Sequence, residues 1–178
     1  MGISRHATAH WEGDLKSGKG RLGTPQSGLM NDTPYGFNTR FGDVKGTNPE
    51  ELIAAAHAGC FTMALAARLT EAGFAPASLD TRADVDLSME GGPTLSAIRL
   101  VTKASVPGIE EAKFRALADD AKQNCPVSKA LSAVPITLEA ELLAWSPWQA
   151  PEAFTFQGRG PSRATAVAAQ AEAWLSAG

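Results

Sequence analysis

A chain of 178 residues, 44% of them hydrophobic, is long enough to bury one sizeable core. Its 19 acidic and 16 basic residues leave a net charge of -3, which excludes the strongly positive face that nucleic acid or an anionic membrane would need. No apolar run of membrane-spanning length is expected and the stretch 1–11 lacks the apolar core of a signal peptide, so a cytoplasmic protein is expected, with no membrane partner.

Residues 5–31 read as two or three short antiparallel strands punctuated by glycines, with Trp11 as a core or interface anchor. In 34–41, Tyr35, Phe37, Thr39 and Phe41 alternate with Gly36, Asn38 and Arg40, the period of a strand with one buried face. Arg40 has the opposite parity from the aromatics.

The stretch from Gly46 to Met63 opens a long helix that is expected to run to about Gly73. Asn48 is the cap, Pro49 suits the first helical position, and Glu51 is placed for a variant capping box. Ile53, Ala56, Cys60, Met63 and Ala67 recur at helical spacing and set Cys60 on an apolar stripe. The small residues Ala54, Ala55, Ala56, Ala58 and Gly59 allow another backbone to approach. A thiol there is either an inert core cysteine or a protected reactive one.

A strand over 78–87, a turn at 90–93 and a strand within 94–106 form a hairpin, the second strand with Leu95, Ile98, Leu100 and Thr102 as its core parity. An amphipathic helix over 109–124 follows, with Ile109, Ala112, Phe114, Leu117 and Ala121 as its stripe. Pro126 then starts a short helix capped by Cys125, and 136–143 is a last strand. The order describes an α+β domain with antiparallel sheet over residues 1–145. Residues 146–178 form an extension, in which Ala164, Val167, Ala168, Ala171 and Trp174 mark one amphipathic helix over 162–175.

Cys60 and Cys125 are the two cysteines, 65 residues apart, so neither CxxC nor zinc-finger spacing occurs. With three scattered histidines they make a weak metal set, and no metal or cofactor is expected. In a reducing compartment, paired thiols point to catalysis, redox sensing or metal rather than to a structural bridge. A peroxidase would use one thiolate to attack a peroxide oxygen, and a second thiol to condense with the resulting sulfenic acid. Such a thiolate needs a cation nearby, because a free cysteine is mostly protonated at neutral pH. Cys125 has a helix N-terminus to lower its pKa, whereas Cys60 in mid-helix would depend on Arg40. Local physics alone therefore favours Cys125 as the attacking thiol. His57, one turn before Cys60, reads as a packing residue, since no third residue of a hydrolase triad is apparent.

The segments 35–41, 46–52, 55–61 and 125–128 (Tyr-Gly-Phe-Asn-Thr-Arg-Phe, Gly-Thr-Asn-Pro-Glu-Glu-Leu, Ala-Ala-His-Ala-Gly-Cys-Phe and Cys-Pro-Val-Ser) closely resemble the OsmC proteins of the OsmC/Ohr superfamily. The resemblance runs from about His10 to Leu143. It implies an intertwined homodimer with antiparallel sheets around two central helices. It also implies a thiol peroxidase acting on organic hydroperoxides, and on hydrogen peroxide less well, with a lipoyl-type dithiol as reductant. The family's reactive cysteine falls on Cys60, its resolving cysteine on Cys125, its arginine on Arg40 and its glutamate on Glu50, which reverses the local assignment of the two thiols. The apolar setting of Cys60 suits a greasy peroxide. A redox sensor without turnover and a non-catalytic small-molecule binder are the alternatives. Glu50 and Cys60 are ten residues apart on one helix, about 15 Å along its axis, so Glu50 is expected to serve the Cys60 of a second protomer.

Overall fold

The structure, a computed structural model, describes residues 2–144 and divides into two compact units. The expected helix over 162–175 lies outside the described residues.

The first unit comprises residues 1–52 with Met89–Pro93. Strands β1 (Thr8–Glu12), β2 (Lys19–Gly23) and β3 (Thr33–Tyr35) form an antiparallel sheet in that order. Gly20 is opposite Tyr35, and a Cβ there would lie 2.3 Å from the Tyr35 ring, so only glycine lets the ring cross the strand. Trp11 meets the same ring at a tilt of 58°, 5.6 Å between centroids.

The strand expected over 34–41 ends at Tyr35, and α1 (Phe37–Phe41) takes its place. The Thr39 hydroxyl accepts the Gly36 N–H at 2.8 Å and lies 2.9 Å from the Thr47 carbonyl, which fixes the turn. Phe37 and Phe41, four residues apart, meet at 4.8 Å between ring centroids. The aromatics that alternate with a period of two also satisfy the i,i+4 contact of a helix, and that contact prevails. Arg40 is consequently a helical residue.

Helix α2 (Pro49–Glu71) starts where expected. Asn48 Oδ1 accepts the Glu51 N–H at 2.9 Å, while the Glu51 carboxylate takes the Thr47 hydroxyl at 2.8 Å instead of returning to the Asn48 backbone.

The second unit begins at Ile53 within α2 and contains β4 (Ser78–Ser88), β5 (Thr94–Ser105), α3 (Glu111–Asn124), α4 (Pro126–Ala130) and β6 (Ile136–Leu143). β4 and β5 pair antiparallel as expected, but β6 runs parallel to β5, so this sheet is mixed. Helices α3 and α4 carry the chain back between the two parallel strands. A bulge at Asp86/Leu87 resets the register, so that Ile98, Leu100 and Thr102 are buried in β5 while Leu95 beyond the bulge is half-buried. Phe61, Leu65 and Leu69 of α2, Leu100 and Ala104 of β5, and Phe114, Ala118 and Ala121 of α3 form the core. Each of its fully buried large side chains contributes about 1.5–3 kcal/mol.

This core uses a different face of α2 from the expected stripe. His57, Phe61, Leu65 and Leu69 point inward, while Ala56, Gly59 and Ala67 are exposed and Met63 is 75% exposed. A Cβ on Gly59 would meet nothing within 4 Å, so the close approach expected there has no partner within the chain. The alanines make α2 apolar on both faces. With a mean hydropathy of 1.5 over an 18-residue window, it is long and apolar enough to cross a membrane, contrary to the expectation from the sequence. The core helix of a globular domain meets the same criterion, and α2 supplies one wall of the core described above.

Candidate active site

The four predicted site residues fall into two pairs, one in each unit. In the second unit Cys60, near the middle of α2, meets Cys125, the cap of α4. Both thiols are free. Pro126 holds the first position of α4, and the Val127 and Ser128 N–H groups and the Ser128 hydroxyl lie near enough to act on the Cys125 charge, without a side-chain capping hydrogen bond to its sulfur.

These contacts differentiate the two thiols. Burial pushes the Cys125 thiol up, but the Ser128 N–H, the Cys60 thiol, the Ser128 hydroxyl and the Val127 N–H outweigh it and hold it below the ordinary cysteine value. Cys60 moves the other way. Burial raises it first, and the neighbouring Cys125 thiol raises it further against a smaller contribution from the Val127 N–H. Access has the opposite order, since Cys125 is fully buried and Cys60 is partly exposed. The more acidic sulfur is the one that solvent cannot reach.

Behind Cys125 lies a buried pair, of which the sequence points to His57 as packing only. His57 Nε2 is 2.8 Å from Ser128 Oγ, and both side chains are buried. His57 Nδ1 has no hydrogen-bond partner, and burial alone lowers its pKa below the ordinary histidine value. The spacing held the signal: His57 is three residues before Cys60, and Ser128 is three after Cys125.

In the first unit, Arg40 of α1 and Glu50 in the first turn of α2 form a bidentate ion pair. Arg40 Nη2 donates to Glu50 Oε1 at 2.6 Å and Nε donates to Oε2 at 3.1 Å. The guanidinium carbon also stands 5.2 Å from the Phe41 ring centroid. This use of the fork fixes the plane of the arginine and leaves Nη1 outside the pair. Arg40 lies at the wall of an apolar cavity of about 140 Å³ that Trp11, Tyr35, Phe37, Phe41 and Met89 also line. A guanidinium beside aromatic walls suits a small ligand with an apolar body and a polar end. Among the described residues, no group of three or more His, Cys, Asp or Glu side chains is arranged to hold a metal.

A family model described as OsmC-like protein matches residues 42–139. Over 143 residues the chain is 52% identical to Peroxiredoxin OsmC of Escherichia coli (strain K12), a match covering 80% of this chain and 99% of that one. It is 35% identical over 100 residues to an organic hydroperoxide resistance protein of Xanthomonas axonopodis pv. citri (strain 306), covering 55% and 67% of the two chains. Among solved structures, the organic hydroperoxide resistance protein OhrB of Bacillus subtilis superposes with a TM-score of 0.57 at 25% identity, covering 78% of this chain and 98% of that one.

Proposed function

The chain belongs to the OsmC family, and from that premise we propose that it is a cysteine-dependent thiol peroxidase that reduces organic hydroperoxides. The observation that carries this reading is the pair of free thiols in contact, one accessible and one buried. In the proposed cycle the Cys60 thiolate attacks the terminal peroxide oxygen. The O–O bond breaks, the alcohol leaves with a proton, and Cys60 becomes a sulfenic acid. Cys125 attacks that sulfur, a disulfide forms, and water leaves. An external dithiol, with a lipoyl-type dithiol as the candidate, then reduces the disulfide. The cytoplasm, which keeps thiols reduced, suits this cycle.

Among the described residues no cation contributes to the Cys60 pKa, which burial raises. Arg40 is the group assigned to lower it, held in plane by Glu50. The pair is expected to act on the thiol of a second protomer, in a homodimer built on the exposed small-residue face of α2. Ala55, Ala56 and Gly59 leave room there for a symmetric copy of the same helix.

Arg40→Ala is expected to raise the Cys60 pKa and to slow peroxide attack at neutral pH by roughly tenfold or more. Arg40→Lys should recover part of this, since a point charge cannot reproduce the fork. The pH profile of Cys60 alkylation checks it, and identical profiles in wild type and both variants would remove Arg40 from the site.

The function itself is tested by turnover of cumene hydroperoxide and hydrogen peroxide at substoichiometric protein, with dihydrolipoamide or thioredoxin as donor. Many turnovers, faster with the organic peroxide, are expected. A single stoichiometric oxidation would instead identify a redox sensor.

A further inference from the structure

Resolution of the sulfenic acid requires Cys125 to act as a nucleophile at the moment when one of its supports is lost. In the reduced state the neighbouring Cys60 S–H helps to keep the Cys125 sulfur acidic. Oxidation of Cys60 removes that S–H. Cys125 then keeps the two N–H groups of α4 and the Ser128 hydroxyl, and it is fully buried, with no exposed surface from which water could take its proton. Its path to a base runs through Ser128, whose oxygen lies 2.8 Å from His57 Nε2.

We propose that Ser128 and His57 form a proton relay that activates Cys125 for disulfide formation, Ser128 touching the reacting sulfur and His57 serving as the buried base behind it. The proposal rests on the thiol-peroxidase reading and deepens it. The Cys125 thiol proton passes to Ser128 Oγ as the serine proton passes to His57 Nε2. The Cys125 sulfur forms the S–S bond with Cys60, and the Cys60 S–O bond breaks, releasing hydroxide. The proton on His57 returns to that hydroxide, directly or through solvent, so that thiol and sulfenic acid give disulfide and one water. His57 is on the same helix as Cys60, three residues before it, the spacing of side-chain neighbours on a helix.

His57 suits this work. Burial favours its neutral form, which is the form able to accept a proton. Its unpartnered Nδ1 gives the imidazolium no second acceptor, so the proton is held only briefly. Among the described residues, Cys60 lies three residues along its own helix and Cys125 lies across the serine. Lys129, the charged residue of α4, is exposed, and no charge from α3 or the sheet contributes to the shift of His57.

The test follows resolution alone. A single equivalent of cumene hydroperoxide is mixed with the full-length protein, and acid-quenched samples are assayed for Cys60 sulfenic acid and for disulfide across a range of pH. In wild type the rate of disulfide formation should rise with pH through an inflection below the ordinary histidine value of about 6.5. In Ser128→Ala it should fall at least about tenfold at neutral pH and follow instead an alkaline thiol titration. Ser128→Thr, which keeps the hydroxyl, should restore the low inflection. A wild-type profile with only the alkaline inflection would overturn the relay without any variant, and so would a Ser128→Ala profile matching wild type. If wild type forms no Cys60 sulfenic acid, the peroxidase reading itself falls, and the relay with it.

Discussion

Replacing Cys60 with serine is expected to abolish peroxide consumption, a loss on the order of 10³-fold or more, because a serine hydroxyl is not ionised at neutral pH and cannot take the oxygen. Replacing Cys125 with serine should have a different outcome. One oxidation proceeds, no intramolecular disulfide forms, and the stranded sulfenic acid goes on to sulfinic acid with further peroxide. The contrast separates the two thiols even though their local electrostatics favour the other order. Cys125 is the more acidic and Cys60 the more accessible. A peroxide with an organic tail has to reach the sulfur before acidity matters, and a fully buried thiol gives it no approach. Peroxide loss measured with both variants, followed by intact mass, checks this. A Cys60→Ser protein that still consumes peroxide would reverse the roles.

Two inactive proteins are expected to restore activity when their subunits exchange. Arg40 and Glu50 pair within one chain, so they move as one part, and Cys60 and Cys125 form the other. Along α2, Glu50 and Cys60 are ten residues apart, about 15 Å of helix rise, well beyond the reach of a glutamate side chain. If the arginine part of one protomer serves the thiol part of its partner, a heterodimer of Cys60→Ser with Glu50→Ala holds one complete site. It should then show about half the wild-type activity per dimer. If each chain serves itself, every site in that heterodimer is broken. Verified heterodimers that stay as inactive as the Cys60→Ser and crippled Glu50→Ala parents would eliminate the shared site.

Where the fold was legible in the sequence, one local signal dominated. The Asn48-Pro49 start of α2 and the Cys125-Pro126 start of α4 are set by neighbouring residues, a side-chain cap with proline in the first and proline alone in the second, and both stand where expected. β4, β5 and β6 also fall on their alternating runs. The misreadings came where two patterns fit the same residues. Tyr35 to Phe41 satisfied a period of two, and Phe37 with Phe41 also satisfied a helical contact that only the Thr39 and Thr47 hydrogen bonds decide. Helix α2 is apolar on two sides, and periodicity could not tell which side holds the core of its own chain. The parallel pairing of β6 depends on where α3 returns the chain, which no residue in β6 encodes. In the candidate site, the resemblance points to both Arg40 and Glu50, and the structure joins them in one ion pair. His57 had looked like a packing residue because its partner, Ser128, is 71 positions away.

The central claim is that Cys60 is the sulfur that peroxide oxidises, and one measurement addresses it directly. Wild-type protein is mixed with one equivalent of cumene hydroperoxide in the presence of a sulfenic-acid trap, quenched before resolution is complete, and digested for mass spectrometry. The account predicts the trapped oxygen on Cys60, with the Cys60–Cys125 disulfide accumulating in the later samples. A trap found on Cys125 instead would contradict it.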